Sequence, residues 1–163
     1  MYSLKSTQFV PEERDFLFEF FAYPENLGVI TPSWLSFQIL TPTPVPMRQG
    51  ALIDYRIGLA GIPTRWRTYI STFEPPHRFV DEQLMGPYDF WHHRHEFESV
   101  AAGTLLHDRV VYDLPFGPLG RLVHLVAIRK QLQGIFNHRH KVIAERFGYS
   151  VEQPPSLQFS KET

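Results

Sequence analysis

Two histidines separated by one residue, His93 and His95, are the side chains of this sequence best suited to chemistry. They lie in the segment 86–98, which alternates apolar and polar residues after a Gly-Pro turn and therefore predicts a β-strand. On a strand, both imidazoles point to the same face, between two large aromatic residues. A neutral imidazole exchanges a proton at about pH 7, especially when a carboxylate fixes its tautomer. His93, His95 and Asp108 are therefore candidate acid–base residues.

Three interpretations of the two histidines remain open. Because buried polar groups are normally paired for stability alone, His93 and His95 could simply hydrogen-bond to Asp81, Asp108 or Tyr112. A second interpretation is acid–base catalysis of an aldol cyclisation or a dehydration. A third is a zinc or non-haem iron site completed by a carboxylate. Since alternate histidines are common on strands and nothing else in the chain completes a metal motif, we predict no metal and no other cofactor.

The surrounding segments predict an antiparallel sheet with two short helices near its start. Alternation over residues 3–10 predicts the first strand, and the prolines that follow it mark two helix starts. Phe16, Leu17 and Phe20 form the predicted buried stripe of the first helix. Further alternation between residues 35 and 114 brings the sheet to about seven strands.

A long C-terminal helix is predicted over residues 119–147, which contain no proline. Leu132 and Phe136 fall on its apolar side, and Arg139 lies near the middle of that side by helical angle. An arginine in such a position usually extends its charged end into water. It could instead pair with Asp81 or with an acidic ligand.

Composition is typical of a small single-domain protein. With 163 residues, 43% of them hydrophobic, the chain is long enough for one core, which we predict over residues 1–148. The polar segment 149–163 predicts a flexible tail. The formal net charge of -1 disfavours nucleic acid as a partner. The absence of cysteine fits a reducing, cytoplasmic location, and no run approaches the ~20 apolar residues of a membrane span.

The order of elements and several short motifs resemble the START-like superfamily, also called SRPBCC or polyketide cyclase/dehydrase-like. The motifs are Tyr23-Pro24-Glu25-Asn26-Leu27, Glu74-Pro75-Pro76, Gly86-Pro87-Tyr88, Trp91-x-His93-x-His95-x-Phe97 and Leu114-Pro115-Phe116-Gly117. They are similar to a bacterial branch described as cyclase/dehydrase or cell-division-inhibitor-like, sometimes fused to a sugar-epimerase-like domain. The resemblance covers residues 3–148. It implies the α+β helix-grip fold, a curved antiparallel sheet around a long C-terminal helix with a hydrophobic cavity between them.

That architecture would direct one face of each strand into the cavity. The ligand-binding residues predicted on this basis are Tyr55, Ile57, Trp66, Thr68, Phe79, Asp81, Gln83, Trp91, His93, His95, Phe97, Asp108, Tyr112, Leu132, Phe136 and Arg139. An apolar lining with a few polar groups is typical of small-molecule sites. We therefore predict a protein that binds a hydrophobic, lipid-like or polycyclic molecule. A cyclase or dehydratase and a non-catalytic protein-interaction module are the alternatives, and a protein partner or a homodimer is compatible with each.

Overall fold

The structure, a computed structural model, describes residues 1–59, 61–115, 117, 127–151 and 156–162. This part of the chain contains one antiparallel sheet, one long helix and shorter helical segments. In chain order the elements are β1 (Tyr2–Val10), α1 (Arg14–Phe21), a 3₁₀ turn (Pro24–Asn26), α2 (Leu27–Ile30), a second 3₁₀ turn (Ser33–Leu35), β2 (Gln38–Ile39), β3 (Leu52–Leu59), β4 (Ile62–Glu74), β5 (Arg78–Met85), β6 (Phe90–Val100), β7 (Gly103–Asp113), α3 (Arg129–Arg146) and β8 (Leu157–Lys161). The strands form one sheet of eight in the order β2-β3-β4-β5-β6-β7-β1-β8. The predicted α+β helix-grip fold is confirmed.

Alternation along the central strands decides which side chains face the helix. On β4 the buried residues are Trp66, Thr68 and Ile70, and on β6 they include His93 and His95. The residues between them are more exposed, as expected for successive side chains that point to opposite faces of a sheet. The two histidines therefore lie on the helix-facing side, as their spacing predicted.

Helix α3 lies against this face of the sheet. Leu132 and Phe136 pack in one cluster with Leu4 and Val110 of the strands, and each such buried side chain contributes about 1.5–3 kcal/mol. Residues 119–126 of the predicted helix lie outside the described part of the chain. Neither α3 nor any other described helix is long and apolar enough to cross a membrane.

Helix α1 buries Leu17, as predicted, but Phe18 and Phe21 are buried with it in place of Phe16, which is 58% exposed. The helix carries large apolar residues on nearly every side, so its sequence does not single out one face. Contact with the sheet decides instead, since the ring centroids of Phe18 and Phe97 lie 5.1 Å apart.

The last strand, β8, lies in the segment that was predicted to be a flexible tail. With it, the sheet has eight strands where about seven were predicted. It pairs antiparallel with β1, where Leu157 lies opposite Ser6. Leu157 and Phe159 are partly buried against the cluster beneath α3. Pairing with β8 satisfies backbone groups of β1 that would otherwise form an open edge. Residues 152–155 and 163 of the predicted tail lie outside the described part.

Candidate functional site

A cavity of about 210 Å³ lies between the sheet and helix α3. Strands β3 to β6 form one wall, α3 forms another, and the segment that contains α1 and α2 closes a third side. Most of the lining side chains are aliphatic or aromatic, and the ionisable ones include Asp81, His93, His95 and Arg139. Asp108 lies behind these four residues, and the five residues together are called the polar cluster below. A mostly apolar cavity with one polar cluster is the general form of a small-molecule site.

The registers of β5, β6 and β7 bring the polar cluster together. His93 on β6 lies opposite Asp81 on β5, and His95 lies opposite Asp108 on β7. Directly opposed residues on one face have Cβ atoms about 5 Å apart, which places a carboxylate within hydrogen-bonding reach of an imidazole. Arg139 approaches the same point from α3. The cluster thus joins three strands and the helix.

Asp108 is the centre of the cluster, because one of its oxygens accepts from three donors. Its Oδ1 lies 3.0 Å from His93 Nε2, 2.9 Å from His95 Nδ1 and 3.1 Å from Arg139 Nη2. Burial raises the pKa of Asp108, but the Arg139 charge and the two histidine hydrogen bonds outweigh burial and hold the pKa well below its usual value. Asp108 is therefore ionised although its side chain is only 2% exposed.

Asp81 lies on the cavity side of the two imidazoles. Its Oδ2 lies 3.0 Å from His95 Nε2 and 3.6 Å from His93 Nδ1. Burial raises the pKa of Asp81, and the nearby charge of His93 and the hydrogen bond from His95 more than offset that effect, so the pKa is lowered. Each histidine therefore lies between two carboxylates, Asp108 beneath it and Asp81 toward the cavity.

Opposing influences act on the two imidazoles, whose ring centroids lie 3.8 Å apart. Burial lowers the pKa of His93, and the neighbouring charge of His95 lowers it further. Burial also lowers the pKa of His95, but hydrogen bonds to Asp108 and Asp81 outweigh burial, and the pKa of His95 is raised. His95 therefore takes up a proton at higher pH than His93 does.

The sequence predicted that Arg139 extends its charged end into water, but the structure shows this end buried. Its side chain is 7% exposed and pairs with Asp108 rather than with Asp81. The guanidinium carbon also lies 4.9 Å from the centre of the Phe21 ring and 5.6 Å from that of Phe136. A guanidinium is stabilised over aromatic faces, so these rings and one carboxylate together allow the arginine to be buried.

Two buried donors on the cavity lining lack a partner. The Nε group of Arg139 and the Nε1 group of Trp66 have no hydrogen-bond acceptor among the residues that the structure describes. Both side chains line the cavity. A buried donor left unpaired costs about 1–3 kcal/mol, so an acceptor supplied by a bound molecule would be favourable here.

Most of the predicted ligand-binding residues line the cavity. The twelve that do so are Tyr55, Ile57, Trp66, Thr68, Phe79, Asp81, Trp91, His93, His95, Leu132, Phe136 and Arg139. Their positions follow from strand alternation on β3 to β6 and from the apolar side of α3.

The structure places the other four predicted residues away from the cavity lining. The side-chain amide of Gln83 donates a hydrogen bond from Nε2 to the backbone carbonyl oxygen of Tyr88, at 2.6 Å. Phe97 packs beneath α1, and Tyr112 packs in the cluster beneath α3. Asp108 lies behind the histidines, where it orients them without facing the cavity.

Sequence reasoning missed part of the lining. The segment around α1 and α2 contributes Phe21, Tyr23 and Leu27, and Tyr88 follows the Gly-Pro turn before β6. Two of these residues belong to the motif Tyr23-Pro24-Glu25-Asn26-Leu27, which indicated the fold. A short helical segment carries no period that separates cavity residues from core residues, so the motif was the available signal.

Comparison with protein families finds a match to DUF8410, described as a domain of unknown function, over residues 61–147, more than half of the chain. No curated protein sequence matches the chain.

Several solved structures have a similar fold. A protein from Thermus thermophilus is 17% identical with a TM-score of 0.64, and the alignment covers 89% of this chain and 96% of that one. A START superfamily protein from Mycobacterium smegmatis is 12% identical with a TM-score of 0.63, covering 91% and 98%. A nucleoside-diphosphate sugar epimerase from Corynebacterium glutamicum is 23% identical with a TM-score of 0.63, covering 88% of this chain and 29% of that one. These similarities establish a START-like fold.

Proposed function

The chain belongs to the DUF8410 family, a domain of unknown function, and we propose that it binds a hydrophobic small molecule in the cavity between the sheet and α3. The observation that carries this proposal is the cavity itself, with an apolar lining interrupted by one polar cluster. A protein-interaction module would not need an internal space of about 210 Å³, so the open cavity favours ligand binding over that alternative.

The size of the cavity favours a compact ligand. A cavity of about 150 Å³ with an apolar lining accepts a benzene molecule, and the cavity here is about 210 Å³. We therefore expect a molecule of about one or two rings. A longer lipid chain would require the segment of α1 and α2 to move away from the sheet.

The unpaired donors favour a ligand with a hydrogen-bond acceptor. Arg139 Nε and Trp66 Nε1 are buried without an acceptor among the described residues, and both side chains line the cavity. A carbonyl or carboxylate oxygen on the ligand would pair with such a donor and remove its desolvation penalty. The proposed ligand is thus a small aromatic or alicyclic molecule that carries a carbonyl or carboxylate group.

Calorimetric titration with β-naphthoate tests the proposal in the presence of a metal chelator. Wild-type protein and Leu84→Phe, altered at a residue that is 58% exposed and outside the cavity lining, should bind one equivalent with similar affinity. Ile135→Phe, which adds volume to a lining residue, should bind at least about tenfold more weakly because the probe and the new ring compete for space. Equal affinity in all three proteins would contradict the proposal.

Acid–base catalysis is a second candidate function. It is favoured by the opposite pKa shifts of His93 and His95 in one cavity, since catalytic pairs are commonly groups whose pKa values are driven apart. In this interpretation His95 donates a proton, His93 accepts one, and Asp108 orients both rings.

A β-hydroxy aryl ketone, which loses water to give a conjugated enone, tests the catalytic alternative by absorbance. Wild-type protein should accelerate enone formation, and His95→Gln should lower the rate by about 100-fold or more. Equal rates for wild type and for a variant with both histidines replaced by glutamine would eliminate catalysis of this type.

A further inference from the structure

We propose that Asp81, His93 and His95 form a binding site for a divalent transition-metal ion, with its remaining coordination position open to the cavity. The donor set is two imidazole nitrogens and one carboxylate oxygen, and these atoms all lie within 4.8 Å of one another. Zinc and non-haem iron are the ions that most often take this combination of ligands.

The spacing of the ligand atoms is close to that of a four-coordinate site. Metal–nitrogen and metal–oxygen bonds of about 2.1 Å place neighbouring ligand atoms about 3.4 Å apart in a tetrahedral site. Asp81 Oδ2 lies 3.0 Å from His95 Nε2 and 3.6 Å from His93 Nδ1. The three ligand atoms lie within 4.8 Å of one another, so no pair has to approach by more than about 1.4 Å to reach the spacing of a tetrahedral site.

Asp108 orients both imidazoles for this role. Its Oδ1 lies 3.0 Å from His93 Nε2 and 2.9 Å from His95 Nδ1, so it can accept the N–H of each ring. The other two ring nitrogens, His93 Nδ1 and His95 Nε2, then turn toward Asp81. A carboxylate behind a metal-binding histidine fixes the tautomer and raises the basicity of the ligand nitrogen.

The surroundings leave room and charge for an ion. Asp81, His93 and His95 line the cavity, so a water molecule or a ligand oxygen could complete the coordination from that side. The positive charge of Arg139 lies on the side of the rings that faces Asp108, with Nη2 3.1 Å from Asp108 Oδ1 and 3.4 Å from His95 Nδ1, the ring nitrogen that does not face Asp81. Two carboxylates therefore balance one guanidinium and part of the charge of the ion.

The opposite face of the sheet supplies a matched control. His92 Nδ1 lies 3.2 Å from Glu82 Oε1, on the same two strands as the proposed site. This pair is partly exposed and has one histidine and one carboxylate, so it lacks the third ligand. His92→Gln removes a histidine adjacent to His93 without touching the cavity.

Calorimetric titration of chelator-treated protein with Zn²⁺, without any organic ligand, tests the proposal. Wild type and His92→Gln should bind one equivalent, whereas His95→Gln and Asp81→Asn should bind at least about 100-fold more weakly. Equal affinity of His95→Gln and wild type, or a loss of binding in His92→Gln, would overturn it. Because this titration contains no organic ligand and the β-naphthoate titration contains no metal, the failure of one proposal does not imply the failure of the other.

X-ray absorption of the zinc-loaded wild-type protein keeps the test independent of whether the variants fold. The proposal expects two imidazole ligands and oxygen ligands at about 2.0–2.1 Å. A first shell with oxygen ligands and one imidazole, or no binding by wild type up to millimolar Zn²⁺, would contradict it.

Discussion

Arg139 Nη2 lies 3.1 Å from Asp108 Oδ1, in an ion pair that connects helix α3 to strand β7 beneath the cavity. Both side chains are nearly inaccessible to solvent, at 7% and 2% exposed. The pair holds the helix over the two histidines, because the same Asp108 oxygen also accepts from His93 and His95. One carboxylate therefore contributes both to the attachment of the helix and to the orientation of the polar cluster.

Arg139→Met should lower the free energy of unfolding by about 3 kcal/mol, because it leaves a buried carboxylate without its guanidinium partner. Urea denaturation measures the change. Arg109→Met is the control, since Arg109 is 45% exposed and pairs with Glu162 at the surface; it should change stability by less than about 1 kcal/mol. Equal losses in the two variants would show that the buried pair has no special role.

Asp108→Asn should lower the pKa of His95 in metal-free protein. Burial lowers this pKa, and the hydrogen bond to Asp108 is the largest influence that raises it, so a neutral amide leaves the imidazolium less stabilised. NMR titration of the His95 ring resonances measures the shift. An unchanged or higher pKa in the variant would contradict the network described here.

Because the imidazole of His140 is buried, the free energy of unfolding should decrease in mild acid. Burial lowers the pKa of His140 to about 4 from 6.5, and its Nε2 lies 2.8 Å from the Ser6 hydroxyl oxygen. The unfolded chain therefore takes up this proton at higher pH than the folded protein does. The contribution of His140 is fully present above about pH 6.5 and is lost as pH falls toward about 4, by up to about 3 kcal/mol.

His140→Gln isolates this contribution. Urea denaturation of wild type and variant from about pH 7.5 to about pH 5 should give a smaller decrease in stability for the variant. If the two proteins lose stability in parallel over this range, His140 does not titrate with a lowered pKa.

Trp66→Phe should weaken β-naphthoate binding by about fivefold, which corresponds to the loss of one hydrogen bond of about 1 kcal/mol. Naphthalene, which has no acceptor, should bind wild type and variant with similar affinity. Trp34→Phe serves as the control because Trp34 is 52% exposed and outside the cavity lining. The donor role of Trp66 is refuted if both ligands lose affinity equally.

Phe159→Ser should lower the free energy of unfolding by about 1–2 kcal/mol, because Phe159 of β8 packs against the cluster beneath α3 and under the Arg129 guanidinium. Phe16→Ser removes a ring that is 58% exposed and should change stability by less than about 0.5 kcal/mol. Denaturation of both variants provides the comparison. No loss in Phe159→Ser would mean that β8 is not anchored to the sheet.

Strand alternation accounts for what the sequence predicted well. The faces of β4 and β6 follow from a period of two residues, so the inward positions of Trp66, Thr68, His93 and His95 could be read directly. Asp81 was also predicted correctly, because β5 pairs with β6 without a register shift at that point and Asp81 lies opposite His93.

The failures of prediction come from contacts between elements that are distant in sequence. The partner of Arg139 depends on the rotation of α3 over the sheet, so its helical angle could not distinguish Asp108 from Asp81. Gln83 follows a register shift between β4 and β5 and bonds to Tyr88. Strand β8 forms because β1 offers an edge to pair with. The residues of β8 are too few and too polar to predict a strand from the sequence alone.

A small hydrophobic molecule with an acceptor is expected to bind inside the cavity, and the indole N–H resonances of the three tryptophans report where it binds. In a ¹⁵N-correlated NMR titration with β-naphthoate, the resonance of Trp66, which is buried on the cavity lining, should shift and saturate. The resonance of Trp34, which is half-exposed and outside the lining, should stay in place. If the Trp66 resonance does not move, or if the Trp34 resonance shifts as much as that of Trp66, the molecule does not bind in the cavity.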